Sequence, residues 1–276
     1  KGVEVVLSWN DRVREFSYGF SFNLAHNKNE VLKINNDEGI IHGPSNVLAD
    51  GMSEIFRAQE GYPIGYFWGY KTAGVFQNAE QLANTPVKLD GAKVGDLIFV
   101  DTDHSGSIDE GDRTMIGNPH PKVSVGFNAN FSWKGIDLSL TSYGAFGHQV
   151  ARSIRNFNTQ EIFQRWHGEG TSNRYPRLTN ANHPNWNYFS DLNIEDADFF
   201  KIQNITLGYD LKHAFRKLPL GQARIYVAVQ NLWTITDYPG MDPEIGYSAG
   251  ADWAKGIDMG YYPSARVWMV GANLKF

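Results

Sequence analysis

Alternation of apolar and polar side chains at a period of two recurs seven times along the chain, each time over a stretch suited to a β-strand. Near the start, Val3, Val5, Leu7 and Trp9 alternate with Glu4, Val6 and Ser8. After a polar turn at 10–15 (NDRVRE), Phe16, Tyr18, Phe20, Phe22 and Leu24 share one face, with Ser17, Gly19, Ser21 and Asn23 opposite. The pattern returns at Val123, Val125, Phe127, Ala129, Phe131 and Trp133, set against Ser124, Gly126, Asn128, Asn130 and Ser132. Lys134-Gly135 then makes a tight turn, and Ile136, Leu138, Leu140 and Ser142 run back against Asp137, Ser139 and Thr141. Ile205, Leu207, Tyr209 and Leu211 predict a fifth strand, Ile225, Val227 and Val229 a sixth, and the terminal ARVWMVGANLKF a seventh.

The connections alternate in length. They are short at 10–15, 134–135 and 212–221, and long at 26–122, 147–198 and 233–264. The long ones show no sustained period and are expected to be irregular, apart from short helices at Asn78–Ala83 and around Thr159–Trp166. Strands of about ten residues, with turns of unequal length at their two ends, predict an all-β transmembrane barrel. The short turns would then lie in the periplasm and the long loops outside the cell. Phe276 would end in the periplasm, as an aromatic terminus for outer-membrane assembly, and Lys1 would start at the outer rim. Seven strands cannot enclose a lumen, so the chain reads as the C-terminal part of one larger barrel domain, with further strands supplied from elsewhere. The opening directly in a strand, without Met or leader, reads the same way. The competing architecture is a secreted, calcium-stabilised β-sandwich that binds glycans, since sandwich strands alternate too. Aromatic residues near strand ends (Trp9, Phe16, Phe22, Trp133, Trp268, Phe276) favour the barrel, where interfacial girdles need them.

Composition narrows the partners. A net charge of -5 over 276 residues argues against nucleic acid, which requires a basic face. With no cysteine, a disulfide framework and a thiol nucleophile are both excluded. No apolar run is long enough for a transmembrane helix, which leaves strands as the means of crossing a bilayer. No HExxH, GxSxG or phosphate-cradling glycine loop is present, and no catalytic residue is assigned. Loop carboxylates such as Glu161 and Glu169, or Asp196 and Asp198, have no spacing that would make them an acid pair, and the chain reads as a protein other than an enzyme.

Two constellations do carry chemistry. Asp101, Asp103, Ser105, Asp109 and Asp112 occupy positions 1, 3, 5, 9 and 12 of a twelve-residue loop, with Gly106 at position 6. Hard oxygens in this order, with Ser107 counted among them and a glycine at the sharp turn, suit structural Ca2+, with Mg2+ as the alternative ion. The opposing interpretation is an Asp/Gly-rich turn closed by its own Asx hydrogen bonds. Since no amphipathic helix flanks the loop, its expected job is to clip a long connection in place. The second constellation is aromatic. Tyr66, Trp68, Tyr70, Trp166, Trp186 and Trp253 lie in the connections, where flat rings with polar neighbours suit a sugar face or a protein lid. Packing of those rings on one another is the plainer alternative.

Taken together, KGVEVVLSWND, FSYGFSFNLAHNKNEV, EGYPIGYFWGYKTAGVFQN, the stretch from GDLIFVDTDHSGSIDEGD to WKGIDLSL, FFKIQNITLGYDL, RIYVAVQNLWTITDYPGMDPEIG and YPSARVWMVGANLKF carry a resemblance. In this order they resemble the C-terminal part of a SusC/RagA-type TonB-linked outer-membrane transporter. The resemblance implies a 22-stranded barrel of a Gram-negative outer membrane, with plug and earlier strands outside this chain. It also implies energy from TonB, a SusD-like surface lipoprotein as lid, and import of oligosaccharides or oligopeptides. The cation loop departs from the family's D-x-N-G-D-G pattern at His104 and Ser105, which weakens the expected affinity.

Overall fold

The computed structural model describes residues 1–153, 162–180, 182–245 and 250–276. In chain order its elements are β1 (Gly2–Val13), β2 (Phe16–Asn27), β3 (Ile40–His42), β4 (Phe56–Gln59), β5 (Tyr66–Gly69), β6 (Thr72–Val75), α1 (Ala79–Asn84), β7 (Leu97–Phe99) and β8 (Thr114–Gly117). There follow β9 (Val123–Trp133), β10 (Ile136–Phe146), β11 (Gln149–Arg152), α2 (Pro184–Asn187), β12 (Ile194–Asp196), β13 (Phe199–Asp210), α3 (Leu211–Ala214), β14 (Gln222–Thr236), β15 (Ile257–Asp258) and β16 (Val267–Lys275).

All seven strands predicted from alternation form one sheet, in the order β1-β2-β9-β10-β13-β14-β16. Every pairing in it is antiparallel, and each of the seven lies beside the one before it in sequence. Lys134 and Gly135 close the β9–β10 hairpin with φ of 47° and 82°, the doubly positive turn whose twist matches that of paired strands. β1 continues through Val13, so the turn expected over 10–15 shrinks to Arg14-Glu15, with Arg14 at φ 58°. β14 likewise runs on to Thr236, beyond the expected end of its strand. It does so past a bulge opposite Ile202–Asn204, where Asn231 adopts φ 52°; the extra residue breaks the simple alternation.

One face of this sheet is apolar and uncovered. Phe20 packs on Phe127 and Phe131 from the next strand, with ring centroids 6.2 and 5.5 Å apart. Trp9, Trp268 and Val270 are nevertheless 62%, 67% and 84% exposed. A sandwich would bury that face under a second sheet, and among the described residues none covers it. The sheet's two outer strands, β1 and β16, each pair on one side only. On the opposite, polar face, Arg224 reaches across Gly208 to Asp137, donating from Nε to Oδ1 at 2.8 Å. A Cβ on Gly208 would come within 2.5 Å of that guanidinium, so the glycine is what lets the side chain lie flat on the wall.

The long connections are not irregular, contrary to expectation. They build a four-stranded sheet (β3-β4-β5-β8), a β6–β7 pair and a three-stranded sheet (β12-β11-β15), with the principal apolar core among them. One cluster joins Ile55, Phe56, Phe67, Ala151, Phe189 and Ile257, drawn from all three connections. A second gathers Tyr70, Val75, Leu97, Phe99, Tyr175 and Leu192. The expected helix at Asn78–Ala83 is α1, with the Asn78 side chain accepting from Gln81 N as its cap. The helix expected over Thr159–Trp166 begins in residues 159–161, which lie outside the described residues, and turns follow from Ile162. This module sits over the polar face at one end of the sheet. There Tyr143 meets Phe199 edge-on at 5.6 Å, and buried Lys201 is ion-paired with Glu244 from the last connection.

Candidate functional site

The cation loop leaves β7 and returns through a 3-10 turn, Glu110–Asp112, into β8. Asp112 is fully buried and clasps the loop shut. Its Oδ1 accepts from Thr102 N at 2.7 Å and its Oδ2 from Asp109 N at 2.9 Å, while Thr102 Oγ1 donates to the Asp112 carbonyl at 2.8 Å. Asp101 accepts from Ser105 N and Gly106 N, at 3.1 and 2.9 Å, and Asp103 from Ser105 N at 2.9 Å. His104 and Gly106 turn the chain at φ 60° and 88°, the second value being one that glycine adopts freely. The Ser105 N–H also holds the exposed Asp103 carboxyl below the usual carboxylate range.

Of the six predicted ligands, Asp101, Asp103 and Asp112 converge, with carboxylate oxygens within 4.8 Å of one another. Asp109 serves first as the cap of the 3-10 turn, accepting from Gly111 N at 2.7 Å, and its carboxylate lies with that of Asp103 against Gly111. Ser107 stands between them, its hydroxyl 3.3 Å from Ser105 Oγ and 3.4 Å from Asp109 Oδ2. The donor set is entirely oxygen, which fits Ca2+ or Mg2+ and not a softer metal. The Asx hydrogen bonds of the competing interpretation are present as well, so the loop geometry accommodates both.

The loop is tied directly to the aromatic stretch. Arg113, immediately after Asp112, donates from Nη2 to the Trp68 carbonyl at 3.1 Å and to the Glu54 carbonyl, and from Nη1 to Glu110 at 3.1 Å. Tyr70 Oη donates to Glu110 at 3.4 Å. Arg57 lies 3.9 Å above the Trp68 ring and pairs with Glu54, which also accepts from His42 Nδ1 at 2.8 Å. The Glu54 hydrogen bond raises the His42 pKa. Sequence reasoning missed Glu54, Arg57 and Arg113. Arg113 and Glu54 are 59 positions apart, and no local pattern marks such a contact.

The six aromatic candidates do not form one open surface. Tyr66 and Tyr70 are essentially buried. Tyr66 stacks on Tyr62 at 4.8 Å and donates to Gln59 at 2.6 Å, and Tyr70 stacks on Tyr188 at 4.9 Å. Burial pushes both phenol pKa values upward, so they remain protonated donors. Trp68, Trp166, Trp186 and Trp253 are half-buried. Trp186 donates to Thr179 Oγ1 at 2.8 Å, Trp253 meets Phe56 edge-on at 5.2 Å, and Trp166 packs over Gly95, where a Cβ would lie 2.5 Å from its ring. Beneath Trp166, buried Asp96 holds Arg177 Nε at 2.7 Å and Asn185 Nδ2 at 2.9 Å. Tyr247, another loop aromatic, lies outside the described residues. Below the module, the polar wall carries a depression of about 370 Å³ lined by Asn10, Ser17, Gly19, Asn130, Ser132 and Asp137.

No protein-family model matches the chain. TonB-dependent receptor P3 of Formosa agariphila is 31% identical over 100% of the chain, which covers 28% of that receptor. TonB-dependent receptor SusC of Bacteroides thetaiotaomicron is 24% identical over 95% of the chain and 25% of its own length. Among solved structures, the RagAB peptide importer in its open-open state superposes with a TM-score of 0.73 at 20% identity, over 100% of this chain and 28% of that one. The chain thus spans little more than a quarter of the proteins it matches, and its seven-stranded sheet has the fold of an arc of a barrel transporter. These relatives bear the names of receptors and an importer.

Proposed function

We propose that this chain belongs to the SusC/RagA-type TonB-dependent receptors of the outer membrane and supplies wall and outer loops to an active importer of oligosaccharides or oligopeptides. The observation that carries the reading is a single antiparallel sheet with an uncovered apolar face, a polar face opposite, and a packed module over the polar face at one end. Apolar side chains belong against lipid and polar ones along a lumen. In this arrangement the short turns face the periplasm and the module faces outward. The remaining strands and the plug complete the barrel, TonB supplies the energy by displacing the plug, and a SusD-like lipoprotein caps the outer opening. Cargo captured under that lid passes the half-exposed Trp68, Trp166, Trp186 and Trp253, with Tyr66 and Tyr70 packed behind them, and descends along the polar wall. Ca2+, or Mg2+ in its place, binds Asp101, Asp103 and Asp112 with support from Ser105, Ser107 and Asp109. Its role is structural, because Arg113 and Glu110 transmit the loop's position to Trp68 and Tyr70.

Uptake of labelled oligosaccharide and oligopeptide pools by cells carrying the complete transporter tests the reading. Accumulation of one pool should require TonB and fall when Trp68 is replaced by alanine. Equal uptake without TonB would overturn it. So would residues 1–276 behaving as a detergent-free monomer that melts cooperatively, since that is the behaviour of a soluble sandwich.

A further inference from the structure

Charge is distributed unevenly between the two ends of the sheet. Residues 28–122, 147–198 and 237–266 hold fifteen Lys and Arg against twenty-five Asp and Glu. The turn segments 14–15, 134–135 and 211–221 hold five (Arg14, Lys134, Lys212, Arg216, Lys217) against one acid, Glu15. An acidic chain therefore presents a basic rim at its short-turn end.

The rim is a packed structure. The Gly135 carbonyl accepts from Asp210 N at 2.7 Å, and a Cβ on Gly135 would lie 2.7 Å from the His213 Cβ, so the β9–β10 turn sits directly on α3. Lys134 is 3.6 Å from Glu15 and 5.3 Å from the Trp133 ring. Arg216 and Lys217 are exposed and, among the described residues, have no acidic partner. Next to them in the chain, the apolar Phe215 is 61% exposed. On the apolar face at this same end runs a groove of about 380 Å³ lined by Ile136, Leu207, Tyr209, Ile225, Val227 and Val270. Ile136 follows the Lys134-Gly135 turn directly, and Tyr209 and Ile225 pair one step inside the rim.

An apolar groove at the same end of the sheet as the exposed Arg216 and Lys217 has the chemistry of an acyl chain joined to a phosphate. We propose that this end of the sheet binds an anionic phospholipid of the leaflet facing the short turns, with its acyl chain in the groove and its headgroup against Arg216 and Lys217. The inference rests on the barrel reading above. Charge complementarity selects the lipid over a neutral one, and the neighbouring groove selects a lipid over an acidic protein, which would need no acyl slot.

The test uses the complete transporter in nanodiscs of phosphatidylcholine, with or without phosphatidylglycerol, followed by native mass spectrometry of retained lipid and by thermal melting. Phosphatidylglycerol should be retained at least threefold over phosphatidylcholine and should raise Tm. The double variant Arg216→Gln/Lys217→Gln should lose most of both effects, while Lys33→Gln, in a long connection, should keep them. Equal retention of the two lipids, or a double variant that keeps the preference, would overturn the proposal. A double variant that keeps the lipid preference but loses an acidic protein partner would overturn it as well. Failure of the complete protein to enter either bilayer would instead refute the barrel reading, whereas entry into both without preference refutes only the lipid site.

Discussion

In the seven-stranded sheet Val270 is 84% exposed, whereas in the long connections Phe67 is fully buried. Both side chains are apolar and both lie in β structure, so residue type does not separate them. The sheet lays its apolar residues on one face at a period of two, interrupted at the bulge opposite Ile202–Asn204, an arrangement that another medium must cover. The connections place theirs at irregular spacings on strands of three or four residues and cover them with one another. In the proposed barrel lipid stands in for a core along the sheet, whereas the module carries its own.

Truncating the module's core should produce the largest effect that separates the two regions. Phe67→Ala removes a buried ring from the cluster with Phe189 and Ile55 and should cost ~3–5 kcal/mol. Hydrogen exchange should show protection lost around Phe56–Gly69 and retained in β13 and β14. Next come paired lysine substitutions on one strand. Leu140→Lys, at mid-strand on the apolar face, should destabilise the barrel in a bilayer by ~2–4 kcal/mol, and its neighbour Ser139→Lys, on the polar face, should cost little. Denaturant titration of the complete protein in lipid compares them, and equal costs would remove the distinction between the faces.

Chelation should act on the module alone. Stripping divalent cations should lower its stability by about 2–3 kcal/mol if the ion was present near a hundredfold over its Kd. Loop 101–113 should loosen while strand protection stays unchanged. A melting curve that does not respond to chelator leaves the Asx-closed turn as the better account of the loop. The smallest effect concerns pH. Burial lowers the pKa of His148 and of His183, against the pull of Asp198 and Asp196 on the first and Asp96 on the second. The unfolded chain therefore takes up protons first, near an ordinary value of about 6.5, and stability present above that pH falls as pH drops below it. His148→Gln should flatten the decline in module stability between about pH 7 and 5.

How legible each region was in the sequence follows from the same contrast. Alternation exposed all seven long strands because a face against lipid must repeat at every second residue. Lys134-Gly135 marked its hairpin by the positive φ that both turn positions require. Asn78 marked a helix start, and the oxygen spacing from Asp101 to Asp112 marked a loop whose carboxylates do converge. The module was illegible because its strands are too short to display a period and its ties are distant. Thr72 N reaches Asp191 across 119 positions, and Arg113 reaches Glu54 across 59. The aromatic stretch was half legible: its rings were recognised, but nothing local distinguished Tyr66 and Tyr70, which are core, from Trp68, which is capped by Arg57.

The central claim is that the sheet separates lipid from a polar lumen, and the absence of cysteine from this chain makes a direct measurement clean. Single cysteines at consecutive positions from Asn128 to Ser132, in the complete transporter with any other cysteine removed, would carry a fluorophore quenched by brominated lipid. Quenching should be strong at Ala129 and Phe131 and weak at Asn128, Asn130 and Ser132. Uniform quenching, or none along the strand, would contradict the membrane-barrel account.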